Sequence, residues 1–127
     1  MINSYNKNKD FLTTLMFSEN TSRLTLVSLS SCCSPTIENH KHFSPNIIDI
    51  LNELTVASIL LSSTIKHKGA VTLQIHGDGP VSLAIAECRH NLTFRSTIKQ
   101  NEKYSNVENL DFQSLINKEN KGLFSLI

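Results

Sequence analysis

The chain has 127 residues, enough for one domain with a continuous hydrophobic core, and one domain is expected for the whole length. Its 12 Lys and Arg against 11 Asp and Glu leave a formal charge of +1, which argues against nucleic acid or an anionic membrane as a partner bound by charge alone. Apolar residues make up 39% of the sequence and aromatic residues 6%, with no Trp, so we expect a soluble protein with an aliphatic core.

The first residues and the longest apolar run indicate a cytoplasmic location. Residues 1–14 are polar and include Asp10 ahead of any apolar run, which is not the pattern of a signal peptide. The longest uncharged apolar stretch, residues 54–65, has about half of the ~20 residues that a membrane helix needs. We therefore predict a core helix and no membrane span.

The clearest predicted elements are a strand and a long helix. Apolar and polar side chains alternate over residues 23–29, which is typical of a strand. Ser44-Pro45 then offers a helix start, and apolar residues recur at helical spacing over about 45–66, so we predict a largely buried helix there. The basic residues 66–68 are expected in its last turn, and Gly69 is expected to supply a left-handed cap.

After the helix the sequence alternates with a period of two residues. Val71, Leu73 and Ile75 are expected to face the core, and the turn at residues 77–80 leads into a second strand from Val81. The small residues Ser82, Ala84 and Ala86 are expected to leave room for the long helix, and a third strand ends near Ile98. The predicted fold class is α+β: a mostly antiparallel sheet over residues 71–98 packed against the helix at about 45–66.

The last part of the chain predicts a loop, a short helix and a strand. Residues 100–109 are polar, Leu110 to Ile116 carry apolar residues at helical spacing, and a strand begins at Gly122. That strand ends on apolar residues with no turn after it, so we expect the fold to continue beyond Ile127.

Three sequence features are candidate functional sites: the turn at residues 77–80, the cysteines and histidines between residues 32 and 42, and Cys88. Gly77-Asp78-Gly79-Pro80 is expected to be a structural turn, because a phosphate-binding loop would need a helix after it and here a strand follows. Cys32 and Cys33 with His40 and His42 have the wrong spacing for a zinc knuckle, so ordinary thiols are expected.

Cys88 stands alone near a turn and is either an oxidisable thiol or an inert one, with nothing in the sequence to lower its pKa. No pair of acidic residues or histidines predicts acid–base catalysis. We therefore predict no catalytic, cofactor-binding or metal-binding residue in this chain, no cofactor and no enzymatic activity.

One run of sequence resembles a known family. The helix segment LTVASILLSSTIK at residues 54–66, Gly69, the strand at residues 71–76 and the turn GDGPVSLA at residues 77–84 resemble the N-terminal domain of the bacterial redox-regulated thirty-three-kilodalton chaperonins, the heat-shock proteins of that mass. Residues 11–29 and 110–127 are similar to neighbouring parts of that domain. The resemblance covers nearly all of the chain but under half of a typical family member.

The resemblance implies a cytoplasmic holdase chaperone. Such proteins are inactive while reduced, with zinc bound by four C-terminal cysteines. Oxidation there forms disulfides, releases zinc and exposes apolar surface, which holds unfolding client proteins, often as a homodimer. Exposed apolar surface binds other apolar surface without sequence specificity, so this activity needs no catalytic residue.

The sequence differs from the family in the C-terminal cysteines that bind zinc and sense oxidation. The C-terminal cysteine cluster is not in it, and Cys32, Cys33 and Cys88 do not match that cluster. Residues 1–127 are therefore expected to be a single, truncated N-terminal chaperone domain without the zinc-binding domain, and so without the redox switch. The alternative is a small non-catalytic α+β protein-interaction module, in which the sheet at residues 71–98 provides a binding edge for one partner.

Overall fold

The computed structural model describes residues 10–30 and 38–127. In chain order the elements are strand β1 (Phe11–Met16), a 3₁₀ turn (Ser18–Asn20), strand β2 (Arg23–Ser28), helix α1 (Pro45–Thr64), strands β3 (Ala70–His76), β4 (Val81–Arg89) and β5 (Phe94–Gln100), helix α2 (Phe112–Ile116) and strand β6 (Leu123–Leu126). β1 and β2 form an antiparallel hairpin, and the other strands form an antiparallel sheet in the order β5-β4-β3-β6. The predicted α+β class is confirmed.

Helix α1 begins where it was predicted and ends earlier. Ser44 is extended and Pro45 occupies the first turn, where its missing N–H costs nothing. At the other end Ile65 is extended, so the basic residues 66–68 lie outside the helix, and no described glycine has positive φ. The expected glycine cap is therefore wrong. The Ile65 N–H donates to the Leu61 carbonyl and closes the last turn, and the hydroxyls of Ser63 and Thr64 add hydrogen bonds to the Leu60 and Leu61 carbonyls at 2.8 and 3.0 Å.

Helix α1 is long and apolar enough to cross a membrane by length and composition alone. Core helices of soluble proteins pass the same test. In this fold α1 lies across the sheet and contacts β3, β4 and β5, with β2 packed beside it. Asp49 and Glu53 are exposed on its outer side.

The face of the sheet beneath α1 carries the core. Val71, Leu73 and Ile75 point inward as predicted, and from β4 Ala84 and Ala86 are fully buried. The expectation for Ser82 is wrong: a bulge between Val81 and Leu83 changes the alternation, and the Ser82 hydroxyl donates to the Lys99 carbonyl on the exposed side. The core cluster consists of Ile47, Ile50, Leu51, Leu54, Leu73, Ile75, Val81, Ala84, Ala86, Ile98, Val107, Leu115 and Ile116.

The loop between β5 and α2 contributes more to the core than its polar sequence predicts. Val107 is buried, and Tyr104 and Leu110 pack against the core cluster. The side-chain amide of Asn46, in the first turn of α1, donates to the carbonyls of Val107 and Leu110 at 2.6 and 3.0 Å. The start of α1 thereby holds the loop that leads into α2.

The turn at residues 77–80 is the β3–β4 hairpin connection, as predicted, with Gly77 N–H donating to the Ser82 carbonyl at 3.0 Å. The Asp78 N–H donates to the Ile116 carbonyl, and one carboxylate oxygen of Asp78 accepts from the N–H groups of Glu119 and Lys121. The turn therefore fixes the connection between α2 and β6. A Cβ at Gly79 would lie 2.7 Å from the Leu115 carbonyl oxygen, so only glycine fits beside α2.

Two glycine substitutions test this close packing. We expect Gly79→Ala to lower the free energy of unfolding by about 1–3 kcal/mol, because backbone atoms of α2 must move to admit the methyl group. Gly69→Ala is the matched control: a Cβ there meets no atom within 4 Å and φ is not positive, so we expect no loss of stability. Urea denaturation of both variants measures the difference. Equal stability of the two variants would contradict the assigned role of the turn.

Candidate functional site

The residues weighed for metal chemistry do not form a site in the described part of the chain. Cys32 and Cys33 lie outside the described residues. The rings of His40 and His42 pack on Phe43, with ring centroids 5.8 and 4.1 Å away. Across residues 10–30 and 38–127, no group of three or more His, Cys, Asp or Glu side chains could hold a metal ion.

Cys88 is placed as an inert core thiol. It lies on the buried face of β4 with no exposed surface, and its Sγ donates to the Arg89 carbonyl at 3.5 Å. Burial raises the pKa of the Cys88 thiol, and a hydrogen bond with Ser62 offsets this only in part. The thiolate is the reactive form, so both burial and the raised pKa disfavour oxidation of this side chain.

The most prominent exposed feature is an apolar surface formed by α2 and β6, here named the α2–β6 surface. Its five large apolar side chains are each more than half exposed: Phe112, Leu123, Phe124, Leu126 and Ile127. Between the two elements lies a cleft of about 460 Å³, with Ile75 and Ile116 among its walls. Clustered exposed apolar side chains of this kind mark interaction sites, whereas single ones are ordinary.

Local hydrogen bonds hold both elements of this surface. The Asp111 side chain accepts from the Ser114 N–H at 2.8 Å and caps the start of α2, and its bonds with Ser114 lower the pKa of Asp111. Strand β6 begins after Gly122, whose N–H donates to the Asn117 side chain at 2.9 Å. The apolar side chains are therefore presented by ordered backbone.

Strand β6 also presents a row of backbone hydrogen-bonding groups, here named the β6 edge. On one side β6 pairs with β3, and Thr72 and Ile127 exchange two hydrogen bonds of 2.9 Å. Because such pairs alternate along an antiparallel ladder, the N–H and C=O groups of Phe124 and Leu126 point away from β3. No other described strand pairs there, so an extended peptide can bind to this edge.

A second apolar group lies on the β1–β2 hairpin. Leu15, Met16, Phe17 and Leu24 are each about half exposed, and Leu15 lies directly opposite Leu24. These side chains cluster near one turn. We take the α2–β6 surface as the candidate site because it combines a cleft, five apolar side chains and a backbone edge.

Sequence reasoning predicted α2 and β6 but not this surface. The signal was present in the run Leu123-Phe124-Ser125-Leu126-Ile127, whose side chains are apolar on both sides of the strand. A strand buried on one face alternates apolar with polar residues, so this run indicates a strand with apolar side chains on its exposed face as well. Which strand β6 pairs with depends on the tertiary fold.

Comparison with known proteins agrees with the fold. The chain matches the family model of the Hsp33 protein over residues 10–127. It is 35% identical over 91 residues to the 33 kDa chaperonin of Escherichia coli O7:K1, covering 72% of this chain and 30% of that protein. A 33 kDa chaperonin of Shigella flexneri is 34% identical with the same coverage. The matched part of the chain thus spans under a third of the length of these relatives. Because the family model matches almost the whole length of this chain, the chain belongs to the Hsp33 family.

Proposed function

We propose that this chain acts as a holdase chaperone, binding unfolding proteins at the α2–β6 surface and so preventing their aggregation. The observation that carries the proposal is the cluster of five exposed apolar side chains beside an unpaired strand edge. The names of the relatives support a chaperone. Binding of this kind is not catalytic, and the function fits a cytoplasmic protein.

The chemistry of the surface suits unfolding clients. An unfolded chain exposes apolar side chains and unpaired backbone groups together, and the α2–β6 surface offers a partner for each. The cleft can enclose an apolar side chain, while the β6 edge can pair with extended backbone. Neither contact depends on the client's sequence, which is what a chaperone for many clients requires.

Zinc binding and redox control are implied only by the family resemblance, and the cysteines that it implies for them are C-terminal ones that are not in this sequence. The described residues do not fit a zinc site, since Cys88 is the one described cysteine, it is buried, and no group of three or more His, Cys, Asp or Glu among these residues could hold a metal ion. We propose no step through zinc or a disulfide for these residues. A homodimer remains a prediction, to be checked by the mass of the chain in solution.

Substitution of one phenylalanine tests the client surface. We expect Phe124→Ser to raise the concentration needed for half-suppression of client aggregation about fivefold, because each client contact loses about 1 kcal/mol of apolar burial. Phe17→Ser on the β1–β2 hairpin is the matched control, since the two rings are 59% and 54% exposed. The measurement is light scattering by a heat-unfolding client. If Phe17→Ser loses as much suppression of aggregation as Phe124→Ser, clients do not bind specifically at the α2–β6 surface. If the chain instead binds one folded protein saturably and does not suppress client aggregation, the alternative of a protein-interaction module is favoured.

Two substitutions at one position test the β6 edge. Leu126→Ala and Leu126→Pro both remove the leucine side chain, but proline also removes an N–H that points away from β3. The ladder to β3 keeps its hydrogen bonds in both variants. We expect Leu126→Pro to suppress client aggregation about threefold less well than Leu126→Ala. Identical suppression by two folded variants would show that the client does not bind the edge.

The burial of Cys88 gives a test of redox independence. In a Cys32→Ser/Cys33→Ser variant, Cys88 is the remaining thiol. We expect its alkylation at neutral pH to be at least about a hundredfold slower in the native state than in urea, because burial removes access and its raised pKa lowers the thiolate fraction. The native rate should rise with pH up to the raised pKa. Rapid native alkylation would contradict the assignment of Cys88 as inert.

A further inference from the structure

A second cleft lies at the end of helix α1, away from the α2–β6 surface. It has a volume of about 640 Å³ and is bordered by the end of α1, strand β1 and the β4–β5 turn. Three aliphatic side chains, Leu12, Ile65 and Leu92, line it together with the ammonium groups of Lys66 and Lys68. The two clefts share no lining residue. We name this second one the α1-end cleft.

The side chains that line the α1-end cleft include basic residues and no acidic ones. Its walls contain two lysines and two histidines and no Asp or Glu. Both lysines are exposed, and within the described residues neither forms an ion pair, whereas Lys41 and Arg95 have carboxylate partners. Because α1 ends at Thr64, the lysines lie beyond its last turn. Their charges are therefore available to a bound anionic group.

In the β4–β5 turn, Leu92 places an apolar side chain at the cleft although its backbone has a conformation that leucine rarely adopts. Leu92 has φ of 66°, a conformation that glycine and asparagine adopt readily and leucine rarely. The turn closes through hydrogen bonds from Leu92 N–H to the Arg89 carbonyl and from Arg89 N–H to the Thr93 carbonyl, at 2.8 and 2.9 Å. The leucine side chain is 39% exposed, so core packing does not account for it. Strain of this kind is retained mainly at functional positions.

A fixed imidazole completes the wall. The Ser62 hydroxyl lies 2.9 Å from Nε2 of His67 and also donates to the Arg89 carbonyl, which ties the His67 ring to β4. His90 meets that ring edge-on, with centroids 6.5 Å apart. Nδ1 of His67 is buried and has no hydrogen-bond partner among the described residues.

The geometry points to a binding site for an acidic, apolar peptide segment in the α1-end cleft. Its aliphatic side chain would lie against Ile65 and Leu92, and its carboxylates would reach Lys66 and Lys68. An anionic membrane is disfavoured because adhesion to lipid takes about four to eight clustered basic residues, and the cleft has two lysines in a chain of net charge +1. The inference goes beyond the proposed holdase activity and stands without it, since the two clefts are separate.

Fluorescence anisotropy with two labelled peptides tests the site. One peptide alternates Glu with Leu, and the other alternates Lys with Leu at the same length. We expect saturable binding of the Glu–Leu peptide that weakens with added salt, and binding of the Lys–Leu peptide that is about tenfold weaker, because the α2–β6 surface can hold either peptide. Lys66→Gln/Lys68→Gln should weaken the Glu–Leu peptide roughly fivefold.

Two further variants distinguish binding in the α1-end cleft from a general effect of lost positive charge. Leu92→Asn removes the apolar side chain but keeps a residue that tolerates positive φ, so the fold is retained and binding should weaken about threefold. Lys99→Gln/Lys103→Gln removes the same charge from residues outside the cleft and should leave binding unchanged.

Equal binding of both peptides, or equal loss in the two lysine variants, would overturn the proposal. Binding of anionic phospholipid vesicles with the same dependence on Lys66 and Lys68, and none of the peptide, would overturn the choice of ligand. Phe124→Ser is expected to weaken both peptides alike and to leave the preference for the Glu–Leu peptide, so a failure of the holdase proposal is distinguishable from a failure here.

Discussion

The contact between helix α1 and the small side chains of strand β4 is the constraint on which the rest of the structure depends. Ala84, Ala86 and Cys88 have no exposed surface, and the helix places Ser58 and Ser62 among its buried residues. Small side chains let a helix lie close to a sheet. The buried hydroxyls remain satisfied, because Ser58 donates to a helix carbonyl at 2.7 Å and Ser62 bonds to β4 and to His67. A larger side chain on either side would lift the helix and expose the core.

The position of α1 explains why the apolar surface lies where it does. The helix packs across β3, β4 and β5, while β6 is added at the far edge of β3. By register Phe124 pairs with Ile75 and Leu126 with Leu73, so these side chains continue the same face of the sheet that α1 buries elsewhere. In the described residues the core face therefore extends past the helix as exposed apolar surface. Asn46 and Asp78 hold the connecting segments, so this surface is ordered in the absence of a client.

Local periodicity predicted most of the elements and little of their assembly. Alternation of period two located β2, β3, β4 and β5, and helical spacing located α1 and α2, because these patterns arise within each element. The bulge that turns Ser82 outward, the burial of Val107 in a polar loop and the pairing of β6 with β3 depend on residues far apart in sequence. The position of the α2–β6 surface depends on the last of these, the pairing of β6 with β3, and so required the fold, whereas the family resemblance predicted its apolar chemistry. The early end of α1 was missed because Ile65 is extended and the chain leaves the helix there without a left-handed glycine.

Backbone hydrogen exchange tests the capture of unfolding proteins at the α2–β6 surface most directly. Exchange would be measured on the intact chain alone and with an unfolding client present. We predict that the client slows exchange of the Phe124 and Leu126 amides, which point away from β3, while exchange in the outer strand β5 and the β1–β2 hairpin is unchanged. Client-dependent protection confined to the hairpin, or no protection while aggregation is suppressed, would contradict it.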